Sequence, residues 1–104
     1  MNLKQAQQKI VESSVIIAAP DQISSDLGGE AVVLNLKSGV YHGLNQVGAR
    51  IWDLIQEPKQ VEDIKQALQE EYEVEATQCL NDILGLLRDL QSVGLIEVRD
   101  EKVA

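Results

Sequence analysis

The first half of the chain alternates between apolar and polar positions in short runs, a pattern typical of β-strands. The segment SVIIAAP is β-branched and stops at Pro20, QISSDL alternates weakly, and AVVLNL is the clearest strand. The turn residues GGE precede AVVLNL, and KSG leads from it into VYHGL. The pattern predicts a small antiparallel meander whose last strand, Val40 to Leu44, lies at an edge of the sheet.

The second half shows apolar residues every three or four positions, which predicts helices. Asn45 is a suitable N-cap for the helix QVGARIWDLIQ, which we expect to end at Pro58. VEDIKQALQEEY forms a second amphipathic helix. Thr77 can cap a third helix that runs to Val93. Gly94 is expected to end this helix in the left-handed backbone conformation. LIEV then resumes strand character.

These elements predict one α+β domain of the winged helix-turn-helix type, in which a small three-stranded antiparallel sheet is followed by three helices. A chain of 104 residues is long enough for one core and too short for two ordinary domains. Residues 1–13 are rich in Gln and Lys and are expected to be disordered. Residues 14–99 form the predicted domain, and 100–104 form a charged tail.

The third helix has more apolar surface than contact with one core requires. Its apolar arc spans about 180°, whereas a helix resting on one core needs a stripe of about 100°. The arc contains Cys79, Leu80, Ile83, Leu84, Leu86, Leu87, Leu90 and Val93. Either part of this arc lines a groove, or the sheet and the other helices cover all of it.

Acidic residues dominate the charge of the protein. Seventeen Asp and Glu against nine Lys and Arg give a net charge of -8. From Gln60 onward there are eleven acidic and four basic residues, and the third helix carries a single base, Arg88. A reader of DNA gains much of its affinity from basic side chains on phosphates. The winged-helix layout is therefore not expected to bind nucleic acid.

The side chains that catalysis or metal binding needs are scarce. The chain has one His and one Cys, so converging His and Cys metal ligands are not expected. His42 is predicted to pack or pair within its strand. Cys79 lies in an apolar stripe near Asp82, which predicts a buried thiol with a raised pKa and no nucleophilic role. The two glycine-containing stretches, LGGE and SGVYHGL, lack the spacing of a phosphate-binding loop. We expect no enzyme activity, metal or cofactor.

The compartment is expected to be the cytoplasm. No apolar run approaches the roughly 18 residues of a membrane span. The N-terminal segment MNLKQAQQKIVESS lacks the apolar centre of a secretory signal, and a single cysteine cannot form an internal disulfide.

An exposed strand edge beside a helix with spare apolar surface suits β-augmentation, in which a peptide adds a strand to a sheet. Three motifs also resemble a known family, the PqqD-like proteins or RiPP recognition elements. They are G-x-Y-x-G-L-N (Gly39, Tyr41, Gly43, Leu44, Asn45), G-x-x-I-W (Gly48, Ile51, Trp52), and C-x-x-D with GLI (Cys79, Asp82, Gly94 to Ile96). More narrowly, the chain is similar to the stand-alone leader-binding proteins of split lasso-peptide systems.

The resemblance implies a non-catalytic adaptor that binds the leader of a precursor peptide and presents it to a leader peptidase and a macrocyclase. The leader would dock as an extra strand between the third strand and the third helix. The implied peptide-binding residues are Val40, Tyr41, His42, Gly43 and Leu44 on the strand, and Cys79, Asp82, Ile83, Leu86 and Leu87 on the helix. His42 stands where the family often has an aromatic residue, and Leu86 where it often has Phe.

Two alternatives stay open at this point. One is the quinone-cofactor branch of the same family, in which a peptide chaperone serves a radical enzyme. The other is an acidic winged-helix regulator or assembly module.

Overall fold

The computed structural model describes residues 9–99, which form six strands and three helices. The strands are β1 (Val15–Ala18), β2 (Gln22–Leu27), β3 (Glu30–Asn35), β4 (Val40–Leu44), β5 (Lys59–Gln60) and β6 (Ile96–Arg99). The helices are α1 (Gln46–Leu54), α2 (Val61–Glu71) and α3 (Ala76–Ser92). The predicted α+β class is confirmed. None of the helices in this part of the chain is long and apolar enough to cross a membrane.

The predicted meander is an antiparallel sheet with strand order β2-β3-β4. Gly39 has a φ of 73° in the turn between β3 and β4, a conformation that favours glycine. Ala31 and Val33 point into the core, while Leu44 and His42 lie opposite them on β4. Among the described residues no strand pairs with the outer side of β4, so this strand is an edge of the sheet, as predicted.

A second antiparallel sheet, in the order β5-β1-β6, joins the two ends of the domain. The apolar pattern predicts β1 and β6 as strands but does not indicate that they pair with each other. Their pairing places Ile16 of β1, which is fully buried, in the same core as Ile51 and Trp52 of α1. Ile51 and Trp52 of the G-x-x-I-W motif are therefore core residues.

The ends of the helices follow local chemistry, with two corrections. The first is that α1 ends at Leu54, before the predicted end at Pro58. Asn45 caps α1 as predicted, since its Oδ1 accepts a hydrogen bond from the backbone N–H of Gly48 at 2.8 Å. The prediction that Thr77 caps α3 is wrong. Glu75 is the N-cap, and its Oε1 accepts from the N–H of Gln78 at 3.0 Å. The longer Glu side chain reaches the same position from one residue before the helix, so Thr77 lies inside the first turn.

The Glu75 cap predicts a dependence of stability on acid. Hydrogen bonds from the first turn of α3 lower the pKa of Glu75 below its ordinary value of 4.5. Its contribution to the free energy of unfolding is thus present above pH 4.5 and is lost as the pH falls through the lowered pKa. We expect Glu75→Gln to reduce the loss of stability between neutral pH and pH 3, measured by chemical unfolding at about three pH values across that range.

The matched control for this change is Glu73→Gln, which alters the charge equally two residues earlier, outside the cap of α3. An acid dependence that both variants reduce equally would contradict a specific role for the Glu75 cap.

The buried side chain of Asn35 fixes α3 relative to the β3–β4 turn. Its Nδ2 donates to the carbonyl oxygen of Val93 at 2.9 Å, while its Oδ1 accepts from Lys37 N at 2.9 Å. Gly94, which follows, has the predicted left-handed φ of 77°. The polar contacts of Asn35 therefore hold the C-terminal end of α3 against the turn that leads into β4.

Residues just before residue 14 already contact the folded part of the chain. Ile10 is 2% exposed and belongs to the core, and Glu12 Oε2 accepts from Lys65 Nζ at 3.1 Å. These residues contact the domain although they precede residue 14, where we predict it to begin. Residues 1–8 of the predicted disordered segment and the predicted tail, 100–104, lie outside the described residues.

Candidate functional site

A groove of about 450 Å³ lies where the end of β4 meets the three helices. Its volume falls within the range of about 300–1,000 Å³ that small-molecule pockets occupy. We call it the apolar groove, because most of its lining is aliphatic. Its lining residues are Gly43, Leu44, Asn45, Val47, Gly48, Ile51, Leu68, Tyr72, Val74, Cys79, Asp82, Ile83 and Leu86.

The structure brings six of the ten predicted peptide-binding residues together in this groove. They are Gly43 and Leu44 of β4, and Cys79, Asp82, Ile83 and Leu86 of α3. Cys79 and Ile83 are buried and form the floor, whereas Leu86 is half-buried and Asp82 is exposed. The excess apolar surface that the sequence indicates on α3 is therefore partly open, at Leu86.

The other four predicted residues lie outside the lining of the groove. Val40, Tyr41 and His42 belong to the edge strand β4, and Tyr41 is 68% exposed. His42 is half-buried, and its Nε2 has no hydrogen-bond partner among the described residues. Leu87 is fully buried in the core at 0% exposure. Contact of these four residues with a peptide stays a prediction.

Sequence reasoning missed the contribution of α1 and α2 to the groove. Val47 of α1, Leu68 of α2, and Tyr72 and Val74 after α2 all line it. The signal in the sequence was the apolar stripe of α1, which includes Val47. In the structure the side chain of Val47 is 39% exposed and faces the groove. The stripe of α2 likewise continues to Tyr72. The spacing of apolar residues identifies these positions as apolar. It does not predict that the three helices leave a groove between them.

A close contact between α1 and β4 shapes one end of the groove. A Cβ added at Gly48 would lie 3.4 Å from both Leu44 Cβ and Asn45 Oδ1, tighter than most such contacts. Glycine at this position therefore lets the first turn of α1 approach the end of β4. The glycine of the G-x-x-I-W motif and the Leu-Asn of the preceding motif meet at this contact, which gives both motifs a structural reason.

The lining of the groove includes the Asp82 carboxylate and the Cys79 thiol, beside the polar side chains of Asn45 and Tyr72. Burial, and then the nearby Asp82 carboxylate, raise the pKa of Cys79, as predicted, so the thiol is protonated at neutral pH. Asp82 Oδ1 accepts from Gln78 Nε2 at 2.8 Å, and the side chain remains exposed at the rim. Within residues 9–99, no three His, Cys, Asp or Glu side chains are placed to hold a metal ion. The groove thus offers apolar contact and one carboxylate.

Gly85 of α3 gives a prediction about stability. A Cβ added at Gly85 would meet no atom within 4 Å, so no part of the described chain requires glycine there. Alanine is about 1 kcal/mol more favourable than glycine within a helix. We expect Gly85→Ala to raise the free energy of unfolding by about 1 kcal/mol in urea denaturation. An unchanged or lowered value would show that Gly85 has a structural role that its surroundings do not reveal.

A free sheet edge beside an apolar groove defines a class of small α+β domains able to take up a peptide as an added strand. The sequence profile of the family described as coenzyme PQQ synthesis protein D (PqqD) matches residues 30–96. The chain belongs to the PqqD family. The resemblance that the sequence motifs indicate is thereby confirmed.

Two solved structures of similar chains are complexes with leader peptides. TbiB1 in complex with the TbiA(beta) leader peptide is 34% identical, with a TM-score of 0.73, and the match covers 85% of this chain and 98% of that one. Lasso peptide synthetase B1 complexed with its leader peptide is 30% identical, with a TM-score of 0.70, and the match covers 78% and 95%. No curated protein matches. The narrower resemblance to lasso-peptide systems is also confirmed.

Proposed function

We propose that this chain is a non-catalytic adaptor that binds the leader of a ribosomally made precursor peptide by β-augmentation. The leader adds to the outer side of β4 and places apolar side chains in the apolar groove. The observation that carries this proposal is the outer edge of β4, which no described strand pairs with and which reaches the groove at Gly43 and Leu44. Similar chains, 34% and 30% identical, have been solved with leader peptides bound.

The expected affinity follows from the two kinds of contact. An added strand with about four main-chain hydrogen bonds gains roughly 0.5–1.5 kcal/mol from each. Two buried apolar anchors add about 1.5–3 kcal/mol apiece. After the cost of ordering a flexible peptide, this sum supports a Kd in the micromolar range or below. We assign Ile83 and Leu86 to the anchor contacts and Asp82 to an amide, hydroxyl or cation of the leader.

The bound leader would then be presented to a leader peptidase and a macrocyclase, in the manner of lasso-peptide biosynthesis. The adaptor itself needs no catalytic group for this role, because holding the leader raises the local concentration of the precursor at the partner enzyme.

A leader titration tests the proposal. The probe is a fluorescent leader from the nearest short precursor gene, and anisotropy is recorded at low and at high salt. We expect tight binding that salt changes little, since main-chain hydrogen bonds and apolar contacts are weakly screened. A folded protein that binds no neighbouring leader would overturn the adaptor proposal.

The PqqD family profile supports a second candidate within the same mechanism. In that case the bound peptide is the substrate peptide of a radical enzyme in quinone-cofactor biosynthesis. The same titration separates the two candidates: the lasso proposal expects the leader of a lasso precursor to bind, and the alternative expects the quinone-cofactor precursor to bind instead.

A further inference from the structure

Two hydrogen bonds fix the direction in which the main-chain groups of β3 point, because these groups alternate along a strand. The N–H of Leu36, one residue past β3, donates to the carbonyl oxygen of Asp21 on the β2 side at 2.9 Å. The carbonyl oxygen of Asn35 accepts from the N–H of Gly39 on the β4 side at 2.7 Å. Even-numbered residues of β3 therefore bond to β2, and odd-numbered residues bond to β4.

The same alternation identifies the main-chain groups at the open edge of β4. The odd-numbered residues of β3 are paired with Val40, His42 and Leu44, so these three direct their main-chain groups to β3. Tyr41 and Gly43 direct theirs to the open edge. A strand added there, antiparallel like the other pairs of the sheet, bonds to these two residues and places the bonded side chains on their face. That face is the outer one, because Leu44 on the opposite face is buried.

Gly43 is a glycine that its own chain does not require. It lies within β4, and its φ is outside the left-handed region that favours glycine. A Cβ added to it would meet no atom within 4 Å. Glycine weakens the interior of a strand and often marks a point where a ligand or another backbone approaches closely. The outer face of the edge strand therefore has open space over Gly43.

Two apolar side chains border this space. Val32 lies directly opposite Gly43 on β3 and is half-buried, while its neighbour on β2 is the small, exposed Ser25. Tyr41 lies two residues from Gly43 on the same face and is 68% exposed. Val32 and Tyr41 thus form an apolar corner, and the main chain of Gly43 is its floor.

We propose that this corner receives a large apolar side chain of the leader, from the leader residue that bonds to Gly43. This inference rests on the proposed adaptor function. The side chain contacts Val32 across the sheet and Tyr41 on the diagonal, which aromatic and branched side chains can reach. An aromatic ring fits best, because it can lie flat over a glycine at a sheet edge and supply the packing that the glycine lacks.

The leader would then be held on both faces of β4. Side chains alternate along a strand, so the leader residues on either side of the one over Gly43 point to the inner face. On that face lie Ile83 and Leu86 of the apolar groove. The adaptor therefore reads apolar leader residues at consecutive positions, one on the outer face and the next on the inner face.

A double-mutant cycle tests the inference. The fluorescent leader is prepared with each large apolar residue changed in turn to alanine, and each peptide is titrated against the wild-type protein and Gly43→Val. We expect Gly43→Val to weaken binding of the unaltered leader about tenfold, because valine fills the corner. One alanine peptide should bind the wild type about tenfold more weakly than the unaltered leader does, yet bind Gly43→Val as well as the unaltered leader does.

Ser25→Val is the matched control, because it adds the same side chain on the other side of Val32, away from β4. It should leave leader affinity unchanged. Unfolding in urea separates binding from folding. Gly43→Val should raise the midpoint of unfolding, since valine favours strands and meets no atom at this position. Stability and leader affinity should therefore change in opposite directions.

Three results would overturn the inference. They are an unchanged leader affinity in Gly43→Val, an equal loss of affinity in Ser25→Val, and a cycle in which no apolar leader residue is coupled to Gly43. The last includes a Gly43→Val protein that binds none of the peptides. Each of these results leaves the adaptor proposal intact, because the wild type still binds the leader. A wild-type protein that binds no leader rejects the adaptor proposal itself.

Discussion

Replacing Leu86 with aspartate is expected to weaken leader binding at least about 100-fold. Leu86 is half-buried on α3 and lines the apolar groove, so it is open to a ligand before any ligand binds. Removing an apolar anchor costs about 1.5–3 kcal/mol, and a carboxylate facing an apolar peptide adds a desolvation penalty. Each 1.4 kcal/mol is about a factor of ten in Kd. Anisotropy titration of the fluorescent leader measures the change.

The chain offers a matched control for this substitution at Leu84. Leu84 is half-buried on the same helix and packs against the same core, but it does not line the groove. We expect Leu84→Asp to lower stability to a similar degree while retaining leader affinity. Circular dichroism establishes that both variants are folded. Equal loss of binding in both variants would mean that destabilisation, and not the groove, explains the effect.

Saturating leader is expected to slow amide hydrogen exchange in β4 by about 100-fold at a leader concentration about 100 times the Kd. In an edge strand, alternate N–H groups point away from the neighbouring strand and are free to bond an added one. Within Val40–Leu44 these outward amides have no strand partner in the described chain. At that concentration only about one protein molecule in a hundred is free of leader, so hydrogen bonds to the leader would protect these amides in the rest.

The sheet carries its own internal control in β2. Gln22–Leu27 is the opposite edge of the same sheet and lies away from the apolar groove. Its amides should exchange at the same rate with and without leader. Protection confined to α3, with β4 unchanged, would show that the leader binds in the groove without adding a strand.

The local elements follow from the sequence because each depends on neighbouring residues. The alternation of β3 marks the strand but not its buried face, because the buried side carries Ala31, Val33 and Asn35. The Asn45 cap and the left-handed Gly94 mark helix ends. The edge position of β4 follows too, since a meander of short strands leaves its last strand unpaired on one side. The family motifs are local features of the same kind, and they lie within residues 30–96, which the PqqD family profile matches.

The prediction for Thr77 was wrong because the cap depends on the path of the chain before α3. Thr is a common N-cap, whereas the longer Glu75 side chain reaches the same backbone N–H only for one particular path of the chain before α3. That path is set by the contacts of α2 and α3, which the sequence pattern does not specify.

The sequence by itself determined which helical faces are apolar and which strand lies at an edge, and it led to a prediction of peptide contacts on α3. Only the tertiary structure decided what covers each apolar face. It paired β1 with β6 from opposite ends of the domain, buried Leu87 while leaving Leu86 open, and brought α1 and α2 into the groove wall. The physical reason is that periodicity records the burial of a side chain, whereas the partner that buries it depends on contacts between residues far apart in the chain.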